Sequence, residues 1–256
     1  MIFRILGCGS SMGVPRSDGF FGNCDPNNTK NYRTRCSAIL QTKSKNILFD
    51  TSPDLRSQLL DNKIKYINKV FFSHMHADQT HGINDLRVFF INKKKPIPVY
   101  ADSATKKYLL KTFSYCFKDN NSEYPAILKF NDIKKNIVFY DGKKKISINS
   151  IKVKHGRVNC MCYVINKKLA YISDVSKIFE KDYHHFYKLD YIIIDCLWYR
   201  KHPSHFNLEK CLEYAKIFGP KKMILTNMHS DLDYDILKKE LPKNIIPGFD
   251  GLKINL

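Results

Sequence analysis

An α/β fold is what this sequence predicts, and three stretches carry the prediction. A strand at 46–50, a helix at 53–61 and a strand at 69–73 make a βαβ unit. Between residues 127 and 154 three β-rich runs alternate with lysine turns. A buried strand at Tyr191–Asp195 then leads through an amphipathic helix to a last long strand at Lys222–Thr226. No stretch of the 256 residues reads as a linker, so one domain spanning 1–256, with a large core, is expected.

The first strand, 2–6, runs into GCGSSMGVP. Its glycines are spaced GxGxxxG and are followed by Val14 and Pro15 where a helix should begin, so a dinucleotide loop is disfavoured. An irregular segment, 16–35, is rich in Gly, Asn and Asp and contains Cys24, with Cys36 just beyond it. Ser37–Gln41 and 46–50 read as a hairpin, and the second strand ends in ILFDTSPD, where Asp50 precedes a Ser/Pro helix start. The apolar run 70–72 ends at Ser73, and the next nine residues, HMHADQTHG, hold three histidines and one aspartate. His74 and His76 are two apart, which points both imidazoles the same way from an extended segment, and Asp78 adds a carboxylate on the following turn. Nitrogen and carboxylate oxygen together suit a divalent transition metal. The plain alternative is a polar helix cap after a strand, and the density of these side chains argues against it.

Further along, 84–90 reads as a helix, 97–100 as a strand introduced by Pro96 and Pro98, and Ser103 as the cap of a helix carrying Leu109, Leu110 and Phe113. The β-rich runs are 127–130, 136–140 and 146–154, the last closing in KVKHG. His155 at that strand end has a structural reading by itself. Strands at 162–165 and Leu169–Ile172 close in YISDVS, where the simple role of Asp174 is to cap a helix at 177–186. Asn207 caps the amphipathic helix, whose Leu208, Cys211, Leu212 and Ala215 recur at helical spacing before Gly219 and Pro220 end it. His205 then stands just outside a helix N-terminus, where the dipole is expected to lower its pKa and to favour an anion.

The formal charge of +19 attracts anions, but its lysines fall in separate clusters (93–95, 134–135, 143–145, 167–168, 221–222), read as loops without interleaved stacking aromatics. A solvated basic surface is expected, with nucleic acid not favoured as a partner. The N-terminal apolar run is too short for a signal peptide, and nothing approaches the ~20 apolar residues of a membrane span. Eight cysteines without CxxC spacing suit a reducing compartment, so a soluble cytoplasmic protein is expected.

HMHADQTHG resembles the HxHxDH signature of the metallo-β-lactamase-fold hydrolases, with Gln79 in place of the final histidine. The resemblance runs from GCGSSMGVP to GFDG, nearly the whole chain, and implies a four-layer αββα sandwich with two mixed sheets facing each other. It implies His74, His76 and His155 as ligands of a first ion, Asp174 between two ions, Asp78 on the second, and Asp50 as a carboxylate orienting the ligands. The cofactor it implies is a divalent metal, zinc or manganese, with one or two ions per chain. Where tRNA-processing relatives and phosphodiesterases read LTH, this chain reads LTN; Gln79 and Asn227 thus replace both second-site histidines, with His229 as a substitute two residues on. Amides there weaken the second site and shift it towards manganese or magnesium, or leave a one-metal enzyme.

The GVP loop, the SHFNL segment and the GFDG turn resemble the phosphoribosyl 1,2-cyclic phosphate diesterase branch. The activity so implied is hydrolysis of a small cyclic or diester phosphate, with an activated hydroxide attacking phosphorus and His205 steadying the anion or protonating the leaving oxygen. Cys24 and Cys36 are either ligands of a structural zinc or two unconnected thiols. A small phosphorylated substrate, no membrane and either a monomer or a homodimer complete the expectation. Its rivals are a tRNA 3′-processing nuclease and a non-catalytic binding protein that keeps the fold.

Overall fold

The computed structural model describes residues 1–118 and 125–256. Among the described residues, fourteen strands form two seven-stranded sheets. The first contains β1 (Ile2–Gly7), β2 (Ser37–Gln41), β3 (Asn46–Phe49), β4 (Lys69–Phe71), β5 (Ile97–Ala101) and β6 (Leu128–Asp132). The second contains β7 (Asn136–Asp141), β8 (Lys144–His155), β9 (Val158–Ile165), β10 (Leu169–Ile172), β11 (Tyr191–Asp195), β12 (Lys222–Thr226) and β13 (Ile245–Pro247). The last strand, β14 (Lys253–Asn255), returns to the edge of the first sheet, pairing Ile2 with Asn255. Both sheets are mixed: β1 to β3 and β7 to β10 are antiparallel, while β3 to β6 and β10 to β13 are parallel.

Strand alternation builds the layers. Phe3, Phe49 and Phe71 of the first sheet meet Tyr163 and Tyr171 of the second between the sheets, with Phe49 at 5.3 Å from Tyr163 and 5.8 Å from Tyr171, centroid to centroid. The opposite face, with Ile39, Leu48, Val70 and Val99, is covered by α1 (Leu55–Asp61), α3 (Arg87–Lys93) and α4 (Ser103–Thr112), and the four-residue α2 (Ala77–Thr80) lies in the histidine loop. Cys211, Tyr214 and Phe218 of α5 (Leu208–Phe218) pack on the second sheet, and α6 (Tyr234–Glu240) follows before β13. This is the αββα sandwich expected from the sequence.

Several expectations need correction. The 177–186 segment is not an α-helix: the backbone N–H groups of Ser176 and Lys177 donate to Lys154 O, so the chain leaves Asp174 as an extra edge of β8, and only a 3-10 turn, Glu180–His185, forms. The 84–90 helix is a 3-10 turn, Ile83–Leu86, passing into α3. Asp102, not Ser103, caps α4, accepting from Thr105 N at 2.9 Å. The lysine clusters are not confined to loops, since Lys93 closes α3, Lys144 and Lys145 open β8, and Lys222 opens β12. Among the described residues no helix is long and apolar enough to cross a membrane.

Candidate metal centre and its amide neighbours

Asp50 leaves β3 in the left-handed region, with φ of 62°, fully buried, and its Oδ1 accepts the backbone N–H of Ser73 at 2.6 Å. Thr51 N donates to Gln79 O, and Gly82 N donates to Thr51 O, so the exit of β3 fixes both ends of the loop after β4. Gly82 has no alternative here, because a Cβ would lie 1.9 Å from Ser52 O. Within that loop His74 Nε2 lies 2.9 Å from His76 Nδ1, and His155 Nε2, at the end of β8, lies 3.2 Å from the same atom. The Ser204 carbonyl can only accept, so the 2.7 Å contact puts the His155 proton on Nδ1 and leaves an Nε2 lone pair facing the triangle. His74 and His155 are buried, while His76 opens to solvent. Burial drives the His74 pKa down to about 3, against the pull of Asp174, so this ring is a neutral donor at ordinary pH. A tetrahedral ion with bonds of about 2.0–2.1 Å sets its nitrogens about 3.3 Å apart. The triangle fits such an ion.

Beside the triangle stands a carboxylate net at the ends of β10, β11 and β12. Asp174 is buried, and its two oxygens accept from two amides: Gln79 Nε2 at 3.1 Å on Oδ2 and Asn227 Nδ2 at 3.0 Å on Oδ1. Gln79 Nε2 also reaches Asp78 Oδ2 at 3.2 Å, and Asn227 Nδ2 reaches Asp195 Oδ1 at 3.2 Å. Asp195 Oδ2 accepts from Val175 N at 2.9 Å and from His205 Nδ1 at 2.8 Å. Burial pulls the His205 pKa down, but the charge and hydrogen bond of Asp195, reinforced by Asp174 and Asp78, raise it to about 9. The expected lowering by the α5 dipole is therefore corrected: Asn207 caps that helix through Lys210 N, and the carboxylates dominate the imidazole. His155, Asp174 and His205 form a second group whose ligand atoms lie within 4.8 Å of one another.

Residues 45–228 match the beta-lactamase superfamily domain. The chain belongs to the beta-lactamase superfamily. Among solved structures, a diphosphatase described as new in the PhnP family is 27% identical, with a TM-score of 0.87 over 100% of this chain and 97% of that one. Human tRNase Z, short form, at 16% identity and TM-score 0.71, shares the fold. Among curated relatives, the octanoyltransferase of Porphyromonas gingivalis is 28% identical over 97% of this chain and 50% of its own length. A ribonuclease Z of Crocosphaera subtropica is 30% identical over 41% of this chain and 34% of its own length. The chain thus spans half or less of the curated relatives it matches.

The structure of this superfamily member gathers His74, His76, His155, Asp174 and His205, with Asp78, Gln79 and Asn227 beside them and Asp50 behind the loop. It does not bring His229 in. That ring stacks on Trp198 with centroids 4.9 Å apart, and its Nδ1 accepts from Asp231 N at 3.2 Å, so it serves the loop after β12 and does not replace a second-site histidine. Cys24 and Cys36 belong to no cluster able to hold a metal among the described residues; Cys36 Sγ sits 3.5 Å from Gly9 O and from Thr226 Oγ1. Sequence reasoning missed Asp195 and the Ser204 carbonyl. Asp195 carried a signal, because YIIID ends a buried strand in aspartate just as ILFD does at Asp50. The carbonyl carried none, since any residue supplies one.

Proposed function

We propose that this chain is a metal-dependent hydrolase acting on a small cyclic or diester phosphate, in the cytoplasm. The observation that carries the proposal is the three-nitrogen triangle of His74, His76 and His155 set beside a charged His205 on Asp195. The triangle would hold a divalent ion, zinc or manganese. Such an ion, when bound, polarises a phosphoryl oxygen and supplies hydroxide near neutral pH.

The chain's own groups perform the rest. Asp195 takes the His205 Nδ1 proton as a hydrogen bond, so the ring presents Nε2 with the proton that a departing alkoxide needs. Hydrolysis adds water across one P–O bond, and that proton completes the leaving group. Asp78 is held above the usual carboxylate range by burial and by the charge of Asp174, which makes it an acceptor for a proton released by water. Asp50 and Ser73 keep the histidine loop in place. All eight cysteines are unpaired, which accords with a reducing cytoplasm.

Hydrolysis of bis(p-nitrophenyl) phosphate by protein reloaded with zinc or manganese, and its loss on chelation, tests the reading. Turnover unaffected by a chelator would refute it. The ribonuclease Z relatives favour one rival, a tRNA 3′-processing nuclease, which would cleave a 3′-extended tRNA with steep salt dependence. Ion uptake with turnover of neither substrate would favour a binding protein that keeps the fold.

A further inference from the structure

We infer that Gln79 and Asn227 fill the place of a second metal ion by hydrogen bonding, so that this chain holds one ion and not two. The inference rests on the three-histidine reading above. A primary amide has two N–H donors. Both hydrogens of Gln79 are committed, to Asp78 Oδ2 at 3.2 Å and Asp174 Oδ2 at 3.1 Å. Both hydrogens of Asn227 are committed too, to Asp174 Oδ1 at 3.0 Å and Asp195 Oδ1 at 3.2 Å. Two neutral side chains therefore tie three carboxylates into one net, and each oxygen of Asp174 receives one amide hydrogen.

A second divalent ion between Asp78 and Asp174 would have to displace these bonds. Its new ligands would be amide oxygens, and each amide would first have to turn its N–H groups away from the carboxylates. Gln79 Oε1 is buried and has no hydrogen-bond partner in its present orientation. Turning the amide without an ion would set that oxygen against two carboxylate oxygens, a worse arrangement than one unbonded acceptor. A neutral histidine at either position could not replace the net, because its one N–H cannot bridge two carboxylates. Asn227 also needs its own backbone: its φ is 60°, in the left-handed region that asparagine tolerates better than most residues. Residues 79 and 227 lie on different sheets, in the β4 loop and at the end of β12, and meet only at Asp174. The two amides therefore act as a pair.

The test is ion stoichiometry. Wild-type protein saturated with zinc and freed of excess should carry one ion per chain by elemental analysis, and cobalt(II) titration should reach its absorbance plateau at one equivalent. His76→Ala should carry none. The double variant Q79H/N227H, checked for folding by its melting temperature, should carry two. Two ions on the wild type would overturn the amide net while leaving the three-histidine centre standing, and a folded double variant that still held one would overturn it as well. A wild type that bound no ion would overturn both.

Discussion

On the side of the site built from His74, His76 and His155, three ring nitrogens converge within reach of one ion. On the side built from Gln79 and Asn227, every amide hydrogen already meets a carboxylate oxygen, and His205 adds a full positive charge. The two sides meet at Asp174, which is grouped with His155 on one side and His205 on the other. Their difference teaches that a buried carboxylate cluster can be satisfied by donors the chain itself supplies, whereas ring nitrogens aimed at one point are arranged to share a cation.

Breaking the histidine side should have the largest effect. His76→Ala is expected to abolish ion uptake and to lower phosphodiester turnover by roughly three orders of magnitude, measured with zinc or manganese in excess. On the other side, His205→Gln keeps a polar side chain but not a proton donor. It should lower kcat by roughly 10²-fold and leave ion content at the wild-type level; unchanged kcat would remove His205 from the reaction. Asn227→Ala strips one donor from Asp174 and one from Asp195, and chemical denaturation of the metal-free protein should show a loss of about 1–3 kcal/mol. Asp50→Asn alters the buried carboxyl group that accepts from Ser73 N and should weaken ion binding by roughly 10-fold, read by competition with a chromophoric chelator.

The finest distinction lies in the His205–Asp195 pair. The folded-state pKa of His205, about 9, stands above the ordinary histidine value of about 6.5. His205 loses its charge as pH rises through about 9, and Asp195, lifted by burial to about 6, loses its own as pH falls through that value, so the charged pair stands between about 6 and 9. In metal-free Asp195→Asn protein, an NMR titration should find His205 titrating roughly a pH unit or more lower than in the wild type. An unmoved titration would assign the shift to Asp174 and Asp78 instead.

Much of this was legible in the chain. The histidine loop showed itself because an apolar strand stops at Ser73 and chemistry begins at His74. Asp50, Asp174 and Asp195 each mark a strand end facing the site, a pattern that sheet geometry enforces. The helix expected after Asp174 failed for a reason no local pattern reveals: the backbone of Ser176 and Lys177 is taken by Lys154. β13 and β14 escaped notice because each has three residues, and β14 finds its partner at the other end of the chain, Asn255 against Ile2. Gln79 and Asn227 read as weak amide ligands or as a vacated second site, since a sequence shows a missing imidazole but not where an amide sends its hydrogens. His205 was misjudged because the helix it precedes was visible and the carboxylate beneath it was not.

The triangle also spans the seam of the molecule. His74 and His76 follow β4 in one sheet, while His155 ends β8 in the other. An ion seated there would work as a clasp between two layers that are otherwise joined by their shared apolar core and by cross-sheet hydrogen bonds such as Tyr163 OH to Phe72 O. By mass action, an ion at a thousand times its dissociation constant adds about 4 kcal/mol to the folded state. Metal starvation would then cost the cell more than an activity: the unclasped chain opens more often, and proteases reach it first.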